Sequence, residues 1–162
     1  MGSTMTDSGQ VPRYLLAIPR ILVGYHFLTV GWAKVSPAFL TGERLARQLS
    51  EGVAADPVGI HRAFIKGLVI PNAHFFSYLV AYGEVAIGLS LLAGCLVRVS
   101  SSFGAFHNLN IYLTVAYAGG GVQLALNRLY IALHVVFVMA AAGRSLGLDG
   151  WLKKRFPKAW WF

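Results

Sequence analysis

The stretch that decides the fold is AHFFSYLVAYGEVAIGLSLLAGCLV, residues 73–97. It holds a single charged residue, Glu84, near its middle. A helix that crosses a bilayer needs about 20 consecutive, mostly apolar residues, and this stretch supplies them. Three further segments read the same way. The first covers about residues 14–35 (YLLAIPRILVGYHFLTVGWAKV), the third about 100–118 and the fourth about 123–142. The third is the least apolar of them. Together they predict an all-α membrane protein, a bundle of four transmembrane helices. Pro19 and Arg20 predict a late start or a kink in the first span.

Composition agrees. Apolar residues make up 56% of the 162 residues and charged residues only 12%, with a mean hydropathy of +0.60. Soluble domains carry about 25% charged residues. The net charge is +8, but the basic residues flank apolar stretches instead of forming a solvated arm, so no nucleic-acid partner is expected. Their natural partner is the lipid bilayer. Cys95 is the single cysteine, so no internal disulfide, no CxxC chemistry and no metal site is expected. Residues 1–10 are polar and show no cleavable signal pattern.

The links differ. Spans two and three meet at Arg98 as a tight hairpin, and Gly119-Gly120-Gly121 joins spans three and four. Residues 36–72 form a long loop. Within it Phe39, Leu40, Leu45, Leu49 and Val53 recur at near-helical spacing among Glu43, Arg44, Arg47, Gln48 and Glu51. That pattern predicts an amphipathic helix lying on the membrane surface, ended by Asp56-Pro57. A second amphipathic piece, about 60–70, ends at Pro71. The tail, residues 143–162, mixes Arg144, Lys153, Lys154, Arg155 and Lys158 with Trp151, Phe156, Trp160, Trp161 and Phe162. Its charge favours cytoplasmic N- and C-termini. Gly24, Gly31, Gly83, Gly88, Ala116, Ala132 and Ala140 offer small surfaces for helix contact.

Local patterns carry a resemblance. The first span ends in Gly31-Trp32-Ala33-Lys34, followed by Pro37, Phe39, Leu40, Gly42 and Glu43-Arg44-Leu45-Ala46. Pro71 precedes the second span, which carries Gly83-Glu84, Gly88-Leu89, Leu91-Leu92, Gly94 and Arg98. The chain resembles the DoxX/DoxD family of small four-helix membrane proteins, and among them the DoxD-type subunit of thiosulfate:quinone oxidoreductase. The resemblance covers about residues 13–150. It implies a bacterial or archaeal inner membrane, other membrane or oxidoreductase subunits as partners, and transfer of electrons from a small sulfur compound to quinone. Two other functions stand beside that one: a non-catalytic scaffold or assembly subunit, and a small-molecule binder or carrier.

Intramembrane ionisable residues cost roughly 2.5–3.5 kcal/mol at midplane and are functional candidates by default. Glu84 is the first. It reads either as an acid–base group for the protons of quinone reduction or as a hydrogen-bonded structural carboxyl. Helical rise places His26 and His134 at a similar depth, with His107 nearer the cytoplasmic side. His26, Glu84 and His134 could form a relay or quinone headgroup site. Bis-histidine haem ligation and plain interhelical hydrogen bonding are the other readings. His107 and Tyr82 are candidates for holding a cofactor, and Trp32, Tyr25 and Tyr82 for stacking on a quinone ring. At the outer end Trp32, Lys34, Arg62 and Arg128 belong to a positive rim that would draw a small anion, or that only anchors to head groups. Lys34 is expected to pair with Glu43 or to meet the ligand. Asn108, Asn110, Tyr112 and Tyr117 read as packing groups on the third span, and Cys95 as a buried small apolar residue.

Overall fold

The computed structural model describes residues 13–162, and its regular structure there is wholly helical. The polar stretch 1–10 lies outside the described residues. A short 3₁₀ turn, Arg13–Leu16, leads into α1 (Ala17–Lys34). Pro19 falls in the first turn of α1, where its missing N–H has no intrahelical acceptor to lose, so the helix starts late and tolerates it. Then come α2 (Pro37–Leu40), α3 (Glu43–Gly52), α4 (Gly59–Phe64), α5 (Ala73–Ala93) and α6 (Val97–Ile111). A π-helical turn (Tyr112–Ala116), α7 (Tyr117–Gly119), α8 (Gly121–Met139) and α9 (Leu148–Arg155) complete the chain.

Three helical stretches are long and apolar enough to cross a membrane: Tyr14–Lys34, Ala73–Ala93 and Gly121–Met139. The stretch expected as the third span is helical without a break from Val97 to Gly119, but is not among the three. Ser100, Ser101, Ser102, His107, Asn108 and Asn110 dilute its apolar character.

α1 and α5 run antiparallel in close contact, and glycines set the distance. A Cβ at Gly31 would lie 2.7 Å from the Val85 amide nitrogen, and one at Gly88 2.5 Å from that of Leu28. Both neighbours are backbone and cannot step aside. A Cβ at Gly83 meets nothing within 4 Å. Gly88→Val is therefore expected to destabilise the protein by about 1–3 kcal/mol, whereas Gly83→Ala stays near wild type, read by thermal unfolding in detergent.

α5 ends at Gly94, whose φ of +64° makes the left-handed cap, and Leu96 follows at φ +55°. This tight turn is held from afar. The Asp149 carboxylate accepts from the amides of Leu96 (2.7 Å) and Val97 (3.0 Å), capping α6. Arg20, fully buried, donates to the carbonyls of Ala142, Ser145 and Leu146 at 2.8, 2.8 and 3.0 Å. The sequence reading saw in Arg20 only a helix perturbation. It is instead the clamp that fixes the end of α8 and the start of the tail.

Two apolar clusters divide the interior. Val23, Phe27, Ile87, Leu91, Val97, Phe137 and Ala142 fill the tail-side half of the bundle. Phe39, Leu45, Leu49, Val53, Ile65, Val69 and Ala81 form the other at the cap end. The amphipathic helix expected on the membrane surface is α3, and its apolar stripe turns the other way. Leu45 and Leu49 are buried against the protein, with Arg44, Arg47 and Glu51 exposed. The cause is close packing on the π-helical turn, where a Cβ at Gly52 would lie 3.0 Å from the Thr114 carbonyl carbon. Residues 36–72 are thus a folded cap on the bundle.

Candidate functional site

Glu84 sits at mid-helix on α5, level with the last turn of α1, between the two apolar clusters. Gly31 gives it room: a Cβ there would lie 2.8 Å from the Glu84 Cβ. One turn further on, Lys34 reaches back, and its ammonium donates to Glu84 Oε1 at 2.5 Å. From α6, His107 Nε2 meets the same oxygen at 2.7 Å, so the proton on that nitrogen points to the carboxylate. Glu84 is 4% exposed, against 24% for the Lys34 side chain and 19% for His107. Glu84 Oε2 is buried with no partner among the described residues.

This trio revises two expectations. Lys34 pairs with Glu84 instead of Glu43, because α1 and α5 close on each other at Gly31. His107 lies level with Glu84, not nearer the tail, because α6 starts only at Val97 and its third turn comes opposite the middle of α5.

His134 is the next histidine inward. It is fully buried, and neither ring nitrogen has a partner among the described residues. The ring lies flat against Gly104, occupying the place a side chain there would take. Phe27 and Phe137 close on it edge-on, with centroids 5.1 and 6.1 Å away. Phe27 also stands 6.4 Å from the His107 ring and 6.1 Å from His26. His26 itself faces outward, stacked on Tyr130 at 4.7 Å. The structure therefore brings Lys34, Glu84 and His107 together and sets His134 across Phe27 from His107. It does not bring His26 to Glu84. This packing does not fit bis-histidine haem ligation: the His134 ring is enclosed by backbone and phenyl groups, and His26 is exposed and stacked on Tyr130.

The rest of the expected rim is dispersed. Trp32 is 69% exposed on the outer face of α1. Tyr82 is exposed and stacks on Tyr78 at 6.1 Å, not on the buried trio. Tyr25 is likewise exposed. The Arg128 guanidinium is held by the Tyr112 hydroxyl at 3.1 Å, and Arg62 is exposed on the cap. An open surface hollow of about 310 Å³ lies beside Lys34, lined by Thr29, Val30, Ala33, Lys34 and Arg44, with neither Glu84 nor His107 in its walls.

Three features escaped the sequence reading. Asp56, taken as a helix breaker, is buried and accepts from the Val58 amide at 2.8 Å and pairs with His61 Nδ1 at 2.6 Å. The other nitrogen of His61 lies 3.0 Å from Asn110 Oδ1, tying the cap to α6. Ser101, one turn from Gly104, is fully buried with its hydroxyl unpartnered among the described residues. The Arg20 and Asp149 clamps complete the set. A histidine five residues after Asp-Pro was the available signal for the cap tie. Nothing local marks the others, whose partners are far away in sequence.

Burial, with a smaller contribution from the Asp149 charge, pushes the Cys95 thiol above its ordinary range. Since the thiolate is the reactive form, maleimide labelling of Cys95 is expected to be slow at neutral pH. It should rise only in the alkaline range, followed by mass spectrometry of the intact chain. Among the described residues, no three His, Cys, Asp or Glu side chains cluster in a way that could hold a metal ion.

Apolar spans with a buried carboxylate held between an ammonium and an imidazole define a multi-pass helical membrane protein with a polar centre between its helices. The model of the DoxD family, described as the thiosulfate:quinone oxidoreductase (TQO) small subunit DoxD, matches residues 14–161. The chain belongs to that family. No match was found among curated proteins or among solved structures.

Proposed function

We propose that this chain is the membrane subunit of a quinone-linked oxidoreductase in the cytoplasmic membrane, passing electrons from a small sulfur compound such as thiosulfate to quinone, with Glu84, Lys34 and His107 as the centre where quinone exchanges protons. The observation that carries this is Glu84: buried in a span, bound on one oxygen by Lys34 and His107, and bare on the other. A buried carboxylate oxygen with no partner normally meets water or a ligand. The hollow beside Lys34 offers a lateral way in from the bilayer.

Reducing a quinone takes two electrons and two protons. The electrons come from the sulfur compound, oxidised at a partner subunit. What this chain supplies is acid–base and electrostatic. Lys34 stabilises negative charge on the headgroup oxygen, and Glu84, a carboxylate at rest, relays a proton from His107 to the quinone while His107 takes up another on its far nitrogen; the relay runs twice for each quinone. His134 and Ser101, unpartnered on the tail side of His107, are the next groups along that route. A positioned acid–base group contributes about 10²–10⁴ in rate.

The same reading takes the chain as crossing four times, with both termini cytoplasmic. α6 supports it by turning its polar side inward: Ser101 and Asn108 are buried, while Phe103, Phe106 and Leu109 face out. That is the pattern of a helix bathed in lipid and not in water. The tail-end cations fit the cytoplasmic assignment.

The test is thiosulfate-dependent reduction of a short-chain quinone in membranes holding the intact complex. Lys34→Met and His107→Gln are each expected to lower turnover per inserted protein by about tenfold or more. Full turnover in both variants would reject the proton-exchange centre and leave a scaffold subunit as the better account.

A further inference from the structure

After α9 the chain folds back, and three cations are consumed in holding it there. Lys153 donates to the carbonyls of Pro157 and Ala159, both at 2.8 Å. Arg98 donates to the Trp160 carbonyl at 2.6 Å, and Arg144 to that of Phe162 at 2.5 Å. The arc so formed encloses an open hollow of about 510 Å³, lined by Arg155, Phe156, Pro157, Lys158, Ala159 and Trp161. Arg155 and Lys158 are exposed and have no carboxylate partner among the described residues. The one acidic side chain of residues 143–162, Asp149, is buried and engaged by the α6 amides.

We propose that this hollow binds the headgroup of an anionic phospholipid, with Arg155 and Lys158 on the phosphate and Phe156 and Trp161 at the glycerol–acyl boundary. Three observations carry the assignment. The arc is pinned to Arg98 and Arg144, at the ends of α6 and α8, which is the headgroup level of a bundle whose spans end there. Its two free cations lack a counter-ion, and anionic lipid supplies one. Its walls are aromatic and apolar, which rewards a lipid and gives a hydrated inorganic anion nothing. The arc is also pre-formed by backbone acceptors, so little ordering remains to be done on binding.

The test uses the full chain, delipidated in detergent and offered phosphatidylglycerol and phosphatidylcholine in equal amounts, with retained lipid counted by native mass spectrometry. Phosphatidylglycerol is expected to be preferred. Arg155→Gln and Lys158→Gln should each weaken its retention about fivefold, the worth of one interfacial cation. Both residues are exposed, so the variants fold as wild type does. Lys66→Gln, an exposed cation at the cap end, should change nothing. Equal retention of the two lipids, or an undiminished preference in the double variant, overturns the proposal. Displacement of phosphatidylglycerol by millimolar inorganic phosphate overturns it too, by assigning the site to a soluble anion.

Discussion

Glu84→Gln is expected to lower thiosulfate-dependent quinone reduction by about two to four orders of magnitude, while the protein still inserts at wild-type levels. The amide keeps the shape of the side chain and can still accept from Lys34 or His107. It can neither give nor take the proton, and it leaves the Lys34 charge without its partner. Glu84→Leu should add a stability defect to the activity loss. It strands an ammonium and an imidazole around a hydrocarbon, and removing one member of a buried ion pair costs about 3–5 kcal/mol. Turnover per inserted protein and thermal unfolding in detergent separate the two effects. A Gln variant with normal turnover would make the trio structural.

Arg20→Met should have the largest effect on stability, about 1–3 kcal/mol for each buried carbonyl it strands, seen as loss of folded protein and a lowered melting temperature. Arg20 is fully buried, and its guanidinium donates to the carbonyls of Ala142, Ser145 and Leu146, the first of which also accepts from the Ser145 amide. Those carbonyls follow the end of α8, beyond its regular ladder of backbone hydrogen bonds. Arg20→Lys should rescue little, because an ammonium cannot fork across three acceptors. The defect is expected to spare catalysis: the clamp sits at the tail end, about four helical turns of α1 from Lys34, so whatever folds should turn over normally. An Arg20→Met protein as stable as wild type would contradict the account of how the tail is fixed.

The contrast between these residues marks how far the sequence could be read. Glu84 stood out because one carboxylate in 25 apolar residues is conspicuous by composition alone. Lys34 stood out by its place at the end of a span. What periodicity does not carry is which residues meet. Lys34 and Glu84 are 50 positions apart, and their pairing depends on Gly31 and Gly88 drawing α1 against α5. His26 and His134 share a depth but not a face, and depth was all that counting residues along a helix supplied. For α3 the stripe of Leu45 and Leu49 was legible, but whether it faced lipid or protein was set by the π-helical turn it packs on. Arg20 and Asp149 read as a perturbation and a stray acid because their partners are backbone groups more than 50 residues away. The weak apolar character of α6 has in part the same origin: Ser101 and Asn108 are spent inside the bundle.

The most direct measurement is photo-crosslinking of the intact complex in lipid nanodiscs with an azido-quinone, followed by mapping of the labelled peptides. Label is expected on the segments around Thr29–Lys34 and Glu84, reduced by excess quinone and strongly diminished in Glu84→Gln and Lys34→Met. Label confined to another subunit, or labelling of this chain unaffected by both substitutions, would contradict the central claim that quinone exchanges its protons at Glu84.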